Sequence, residues 1–249
     1  MSHIARIYVN HPLEAGSAIL LDDGQSRYLL KVMRLSDGAM VRAFNGADGE
    51  WRCTLTTQGK KAIITPETQT RPQETGPDLT LLFAPIRRTR TELIIEKATE
   101  LGVRTIQPVM TEYTQFNRLR IDRLDLLAIE AAEQTERLDL PSIQEPLAFD
   151  KALAGWNAAN PLIYCDEAGS AAPFDMHRDE LSGRSCGVLI GPEGGFSSKE
   201  RDQLRSMDCV VPITLGPRIL RAETAVVSAL TLWQSLVGDW QKAPYLPEN

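Results

Sequence analysis

Over the first seventy positions apolar residues come in short alternating bursts, and beyond them in longer blocks with strand and helix periods. ARIYVN, AILL, MVRAFN, WRCTLTT and KAIITP are β-rich runs, separated by clusters such as SDG, NGADG and TQGK. One segment breaks that rhythm. DDGQSRYLLKVMR places Tyr28, Leu29, Val32 and Met33 at helical spacing behind Asp22 and Asp23, which predicts one helix. Several short strands with a single helix predict a small β-barrel over residues 1–72.

ETQTRPQETGPD, residues 67 to 78, has no hydrophobic period and carries Pro and Gly, so a linker is predicted there. It divides the chain into residues 1–72 and 73–249. After it the pattern alternates. LTLLFAP, VRTIQPVM, PLIYCDE, CGVLIG and CVVPITLG read as buried-type strands. Between them TRTELIIEKATELG has Leu93, Ile94, Lys97, Ala98 and Leu101 in register, with Gly102 closing the helix. RIDRLDLLAIEAAEQTERL, FDKALAGW, SSKERDQLRSM and ETAVVSALTLWQSLVGDW complete the helices. In the last, Val226, Ala229, Leu230, Trp233, Leu236, Val237 and Trp240 recur at helical spacing. Strands alternating with helices predict an α/β domain with a mostly parallel sheet covered on both faces.

Composition narrows the class. Of 249 residues 43% are apolar, enough for a substantial core. No apolar run reaches the roughly 18 residues needed to span a bilayer. MSHIARIYVN shows no cationic stretch ahead of an apolar run, so a cytoplasmic location is expected, with no membrane partner. Cys53, Cys165, Cys186 and Cys209 are scattered without a CxxC pair, and His3, His11 and His177 lack ligand spacing. Neither a disulfide framework nor a metal site is expected. Net charge is −6, but residues 1–72 hold nine Lys or Arg against seven Asp or Glu, near +2, and the remainder 18 against 26, near −8. Local patches govern phosphate contact, so the total does not exclude RNA.

Two loops carry candidate chemistry. In LIGPEGGFSSKE, residues 189 to 200, a strand ends at Gly191. Pro192 withholds an N–H, Gly194 and Gly195 permit close backbone approach, and Ser197 with Glu200 fits a capping box. LGPRILRAET, residues 215 to 224, follows another strand and crowds Arg218, Arg221 and Glu223 into one turn. Leu215, Ile219 and Leu220 have the character to wall an adenine, and Arg218 and Arg221 to reach an anion. Ligands of open α/β sheets gather at such strand-to-helix loops. The dinucleotide, P-loop and nucleophile-elbow fingerprints are absent. Glu130, Glu133, Gln134 and Arg137 form i,i+4 pairs on the long helix, which read alone as a solvated face.

IEKATELGV (95 to 103), AAEQTERLDLP (131 to 141), LIGPEGGFSSKE and LGPRILRAETA together resemble the 16S ribosomal RNA (uracil-N3) methyltransferases of the RsmE type, members of the SPOUT superfamily. The resemblance runs over nearly the whole chain. It implies a PUA-like RNA-binding barrel, then a SPOUT domain with a trefoil knot holding S-adenosylmethionine (SAM), in a homodimer whose active site lies at the subunit interface. The implied cofactor residues are Leu189, Gly191, Pro192, Glu193, Gly194, Gly195, Leu215, Gly216, Ile219, Leu220, Arg221 and Thr224. SRYLLKVMR departs from the family, which often has a histidine ahead of its valine-leucine-arginine run.

The implied reaction methylates N3 of a uridine in 16S rRNA of the small ribosomal subunit. N3 is a weakly acidic imide nitrogen on the Watson–Crick edge, so the base must be unpaired and the proton removed. Arg221 is expected to steady charge on the uracil oxygens and Glu223 or Glu193 to take the proton, with Gln134 and Arg137 contacting uracil or phosphate. Arg6, Arg27, Lys31, Arg34, Arg87, Arg88 and Arg90 are expected to meet RNA phosphates. Two rivals stay open: a SPOUT enzyme acting on another rRNA or tRNA nucleoside, and a non-catalytic RNA-binding adaptor.

Overall fold

The structure is a computed structural model and describes residues 4–115, 118–166, 171–243 and 245. Its contacts divide the chain into two units. One comprises Met1–Thr75, Ala132–Leu140 and Tyr245–Asn249; the other comprises Gly76–Ala131 and Pro141–Pro244.

The first unit holds β1 (Ala5–Tyr8), β2 (Ile19–Leu20), α1 (Asp23–Arg27), β3 (Met40–Phe44), β4 (Glu50–Gln58) and β5 (Lys61–Arg71). Its sheet runs β1-β3-β4-β5-β2, parallel between β1 and β3 and antiparallel elsewhere. Strand alternation sends Ala5, Ile7, Val41, Ala43, Cys53, Leu55, Ala62 and Ile64 to one face, where they form a single cluster with Leu29. Burial pushes the Cys53 thiol up to about 12.

Two expectations are corrected here. Residues 67–71 of the expected linker belong to β5 and pair with Glu50–Arg52 of β4 across bulges. Glu67 to Thr70 are exposed, so the strand has no hydrophobic alternation to betray it. The predicted helix of residues 22–34 is also two pieces. Asp22 caps α1 through a capping box with Gln25, and a π-turn, Tyr28–Val32, follows, closed by Met33 N–H to Tyr28 O at 2.9 Å. The extra residue of a π-turn rotates the helix face. Leu29 is fully buried and Leu30 and Met33 pack on the core, whereas Val32 is 65% exposed.

The other face of the sheet holds a charge cluster. Arg6 Nε meets Glu50 Oε2 at 2.7 Å, and Arg42 reaches Glu50 at 3.3 Å and Glu136 at 2.6 Å. Arg6 also donates to the carbonyls of Ala132 and Arg137, both at 2.7 Å, and stacks over Phe44 at 4.0 Å. Tyr8 N–H donates to Glu133, and Arg71 donates to the Glu136 carbonyl. Phe44, Ala132 and Leu138 form a small apolar cluster beside it. Segment 132–140 thus completes the N-terminal unit, and Glu136 adopts a left-handed φ of 61° within this network.

The second unit contains β6 (Leu79–Phe83), α2 (Arg88–Glu100), β7 (Thr105–Met110), α3 (Ile121–Gln134), β8 (Ser142–Ile143), β9 (Leu147–Ala148) and α4 (Phe149–Ala154). There follow β10 (Leu162–Cys165), β11 (Ala172–Pro173), a 3₁₀ turn, α5 (Arg178–Leu181), β12 (Cys186–Ile190), α6 (Ser198–Arg205), β13 (Val210–Thr214) and α7 (Ala222–Leu236). Helix α3 enters the first unit at its last residues. The sheet order is β11-β13-β10-β12-β6-β7-β8, with β9 also on β7, and every pairing is parallel.

Both faces of this sheet are covered, as its near-continuous apolar strands require. Leu79, Leu81, Phe83 and Val188 pack against Ile94, Ile95 and Ala98 of α2 and Val226, Ala229, Leu230 and Trp233 of α7. Leu82, Tyr164 and Leu189 pack against Phe149 and Leu153 of α4 and Leu204 of α6. Gly102 ends α2 at φ 78° as predicted, although Leu93 is half-exposed and the inner face is Ile94, Ile95 and Ala98. Trp240 lies beyond the end of α7 and is half-exposed. No helix among the described residues is long and apolar enough to cross a membrane.

Candidate functional site

Strand β10 lies between β13 and β12, so the loops leaving those two strands are separated by one strand, roughly 10 Å. They converge over the carboxyl end of β10. There a cavity of about 530 Å³ opens, within the size range of small-molecule sites. Gly191, Pro192, Glu193 and Gly195 line it from the first loop, and Leu215, Gly216, Arg218, Ile219 and Leu220 from the second. Tyr164, Cys165 and Asp166 form its third side.

Local sequence explains the first loop. Gly195 turns at φ 69° and its N–H closes on the Pro192 carbonyl at 2.9 Å. A Cβ on Gly191 would stand 2.9 Å from the Phe196 ring, which is itself wedged between Phe149 and Tyr164. Ser197 and Glu200 form the predicted capping box, with Ser197 N–H donating to Glu200 Oε2 at 2.8 Å. The other Glu200 oxygen accepts Glu112 N–H at 2.8 Å, tying this loop to the one after β7. In the second loop Gly216 sits at φ 98°, and Arg221 occupies the N-cap of α7 without a side-chain cap.

The electrostatics of the cavity are mixed. Asp166 is buried and accepts from Arg205 at 2.7 Å and from the Tyr164 hydroxyl at 3.3 Å. Burial, reinforced by the Asp166 charge, pushes the Tyr164 hydroxyl up, and burial pushes the Cys165 thiol up to about 12. Both stay protonated near neutrality and are poor bases. Glu223, in the first turn of α7, is not on the cavity wall; it meets Arg90 at 3.4 Å, and its Oε2 is buried with no hydrogen-bond partner among the described residues.

Not every expected residue lies on this cavity. Leu189 is a core residue of β12, Arg221 at the N-cap and Thr224 in the first turn of α7 are exposed, and Gly194 packs against Tyr113. Gln134 and Arg137 belong to the first unit; Gln134 is exposed, and Arg137 meets Asp139 at 2.7 Å. Arg6 is buried, with its guanidinium committed to Glu50 and two carbonyls, and so is removed from the cations available to phosphate. Arg27, Lys31, Arg34, Arg87 and Arg88 are exposed, while Arg90 pairs with Glu223. Asp166, Tyr164, Arg201 and Thr214 on the cavity wall were not anticipated, because strand order decides their placement. The described residues contain no group of His, Cys, Asp and Glu fit for a metal ion.

Comparison with known proteins matches both parts of the chain, with segment 132–140 falling inside the longer match. Residues 73–234 match the family model of the RNA methyltransferase domain, and residues 21–67 match that of the RNA methyltransferase PUA domain. Ribosomal RNA small subunit methyltransferase E of Rickettsia conorii is 35% identical over 228 residues, covering 90% of this chain and 93% of the relative. The Synechocystis protein of that name is 30% identical, covering 89% of this chain and 74% of the relative. Among solved structures, a methyltransferase from Legionella pneumophila in complex with SAM superposes with a TM-score of 0.86 at 26% identity. It covers 95% of this chain and 99% of that one. The Neisseria gonorrhoeae ribosomal RNA small subunit methyltransferase E, bound to SAM, superposes at 0.85 and 28% identity, covering 96% and all of that chain. The second unit is therefore a SPOUT-type α/β domain and the first is PUA-like.

Proposed function

The chain belongs to the RNA methyltransferase family, in its ribosomal RNA small subunit methyltransferase E branch, and from that premise we propose that it methylates N3 of a specific uridine in 16S rRNA using SAM. One observation carries the reading: the GPEGG and LGPRIL loops meet in a single cavity at the carboxyl ends of parallel strands. Its volume and its mixture of aliphatic wall, bare glycine backbone and carboxylates suit a cationic nucleoside. Leu215, Ile219 and Leu220 offer an apolar wall to adenine, and the glycines let backbone groups approach.

When bound, SAM supplies an electrophilic methyl on a sulfonium sulfur. The chain must place uracil N3 in line with that methyl and remove the N3 proton. As the N3–carbon bond forms the carbon–sulfur bond breaks, and the proton passes to a carboxylate. Glu223 is our first choice for that acceptor because one of its oxygens is buried without a hydrogen-bond partner among the described residues, and Glu193 on the cavity lip is the second. Arg221 would steady the charge spreading onto the uracil oxygens. Gln134 and Arg137 are the second-rank contacts to uracil or phosphate. Arg27, Lys31, Arg34, Arg87 and Arg88 would hold RNA phosphates.

The same reading includes a trefoil-knotted cofactor site, a homodimer and work on the small subunit in the cytoplasm. Light scattering should give twice the 27.6 kDa chain mass. The deciding experiment incubates small ribosomal subunits or 16S rRNA with the protein and SAM, digests the RNA and measures N3-methyluridine by mass spectrometry. A different methylated nucleoside would reassign the substrate. No SAM binding in calorimetry and no methylation would leave an RNA-binding adaptor.

A further inference from the structure

Outside the cavity one aromatic side chain stands in an unusual place. Tyr113 lies in the loop after β7, at the same carboxyl edge of the sheet, and is 47% exposed. A Cβ on Gly194 would lie 3.2 Å from Tyr113 Cβ and 3.7 Å from its ring. Gly194 stands between Glu193 and Gly195, which line the cavity, so Tyr113 lies against the loop that forms one wall of it. The loop is braced. Glu112 N–H donates to buried Glu200, and Thr111 N–H and hydroxyl both engage the Thr114 hydroxyl, at 3.0 and 2.8 Å.

A half-exposed tyrosine on a braced loop loses little entropy when a flat ligand stacks on it. Unpaired RNA bases are read in this way, on aromatic faces flanked by cations. The cations are at hand. Arg118, Arg120 and Arg123 follow on the same connection and the first turn of α3, and Arg88 shares Glu92 with Arg123, at 2.9 and 2.6 Å. Arg120 meets Asp122 in turn, and Arg118 is exposed. Hydrogen bonds from Arg123 and Arg88 hold the Glu92 carboxyl down at about 2, so this trio stays ionised at any physiological pH.

We propose that Tyr113 is the stacking platform for an unpaired base of the RNA substrate, the target or its neighbour, with the arginines of the β7–α3 connection holding the adjoining phosphates. The inference rests on the RNA methyltransferase reading and adds to it a substrate-positioning residue. Its test uses the full-length protein, small ribosomal subunits lacking the modification, and radiolabelled SAM. Y113A should lower kcat/KM for RNA by roughly ten- to a hundredfold, mainly through KM, with SAM affinity in calorimetry unchanged. Y113F, which keeps the ring, should restore kcat/KM to within about threefold. Y113A should leave the salt dependence of RNA binding intact, while R118A should shallow it by about one counterion.

Equal kcat/KM in Y113A and wild type overturns the proposal. So does a Y113A defect that appears as lost SAM affinity, which would make the side chain only a support for Gly194. Failure of the wild-type protein to methylate any RNA is a different result and removes the reading beneath it.

Discussion

Replacing Glu50 with Gln tests whether the charge cluster holds the N-terminal unit together. The Glu50 side chain is wholly inaccessible and faces Arg6 at 2.7 Å and Arg42 at 3.3 Å. Charges with centres about 4 Å apart attract by about 4 kcal/mol at an effective dielectric of 20, so two arginines give about 8 kcal/mol of gross attraction. Against this, glutamine escapes a carboxylate desolvation of several kcal/mol. Glutamine keeps one oxygen for Arg6, and Arg6 keeps its two carbonyls and Glu136 at 3.5 Å. The balance is a loss of about 3 kcal/mol, the lower end of the cost of breaking a buried pair. Hydrogen exchange followed by mass spectrometry reads it locally. Peptides covering Ala5–Tyr8 and Met40–Phe44 should exchange roughly a hundredfold faster in E50Q, and those covering β6 and β12 at the wild-type rate. Unchanged protection of β1 and β3 would refute the reasoning, since it would mean that neither arginine depends on Glu50.

Burial works to raise the Glu136 carboxyl, but Arg42, Arg6 and Arg71 outweigh it and hold the group below its usual 4.5. A depressed value contributes stability above about pH 4.5 that is lost as pH falls through the folded value, so E136Q should flatten the acid limb of a urea-midpoint profile taken between pH 6 and 3. Gly187 faces Trp156 and Leu162, and a Cβ there would lie 2.5 and 2.8 Å from them. G187A should cost about 1–3 kcal/mol, seen in thermal unfolding as a Tm lower by several degrees; an unchanged Tm would show Trp156 free to shift. Glu223→Gln should lower kcat by about a hundredfold or more at unchanged SAM affinity, and full turnover would pass the role of acceptor to Glu193.

Strand and helix periods were readable where a long element faced a core: β6, β7, β10, β12, β13 and α7 fall where the apolar runs predict them, whereas the two-residue strands β8, β9 and β11 are too short to carry a period. The capping box at Ser197 and the closure of α2 at Gly102 were readable because each is a local hydrogen-bonding or steric demand. The π-turn was not, since nothing in YLLKV distinguishes a hydrogen bond to the fifth residue from one to the fourth. Nor was β5 beyond Pro66, whose exposed polar residues carry no period. In the cavity the two glycine-bearing loops announced themselves, while Tyr164 and Asp166 did not. They reach it because β10 sits between β12 and β13, a fact of sheet order rather than of spacing. EAAEQTERL looked like a solvated helix face, yet Glu133 and Glu136 bond to Tyr8, Arg42 and Arg71, partners roughly a hundred residues away in the chain that no local pattern reveals.

That long reach sets a timetable for synthesis. When residue 75 leaves the ribosome, Arg6 and Arg42 have Glu50 but lack Glu136, and Phe44 lacks its cover from Ala132 and Leu138. The missing segment emerges some 65 residues later, a wait of roughly 3–13 s at common elongation rates. The first part of the chain to be made therefore closes only after much of the second has appeared. A fragment cut at residue 75 should behave as an unfinished fold, in need of a peptide spanning residues 132–140.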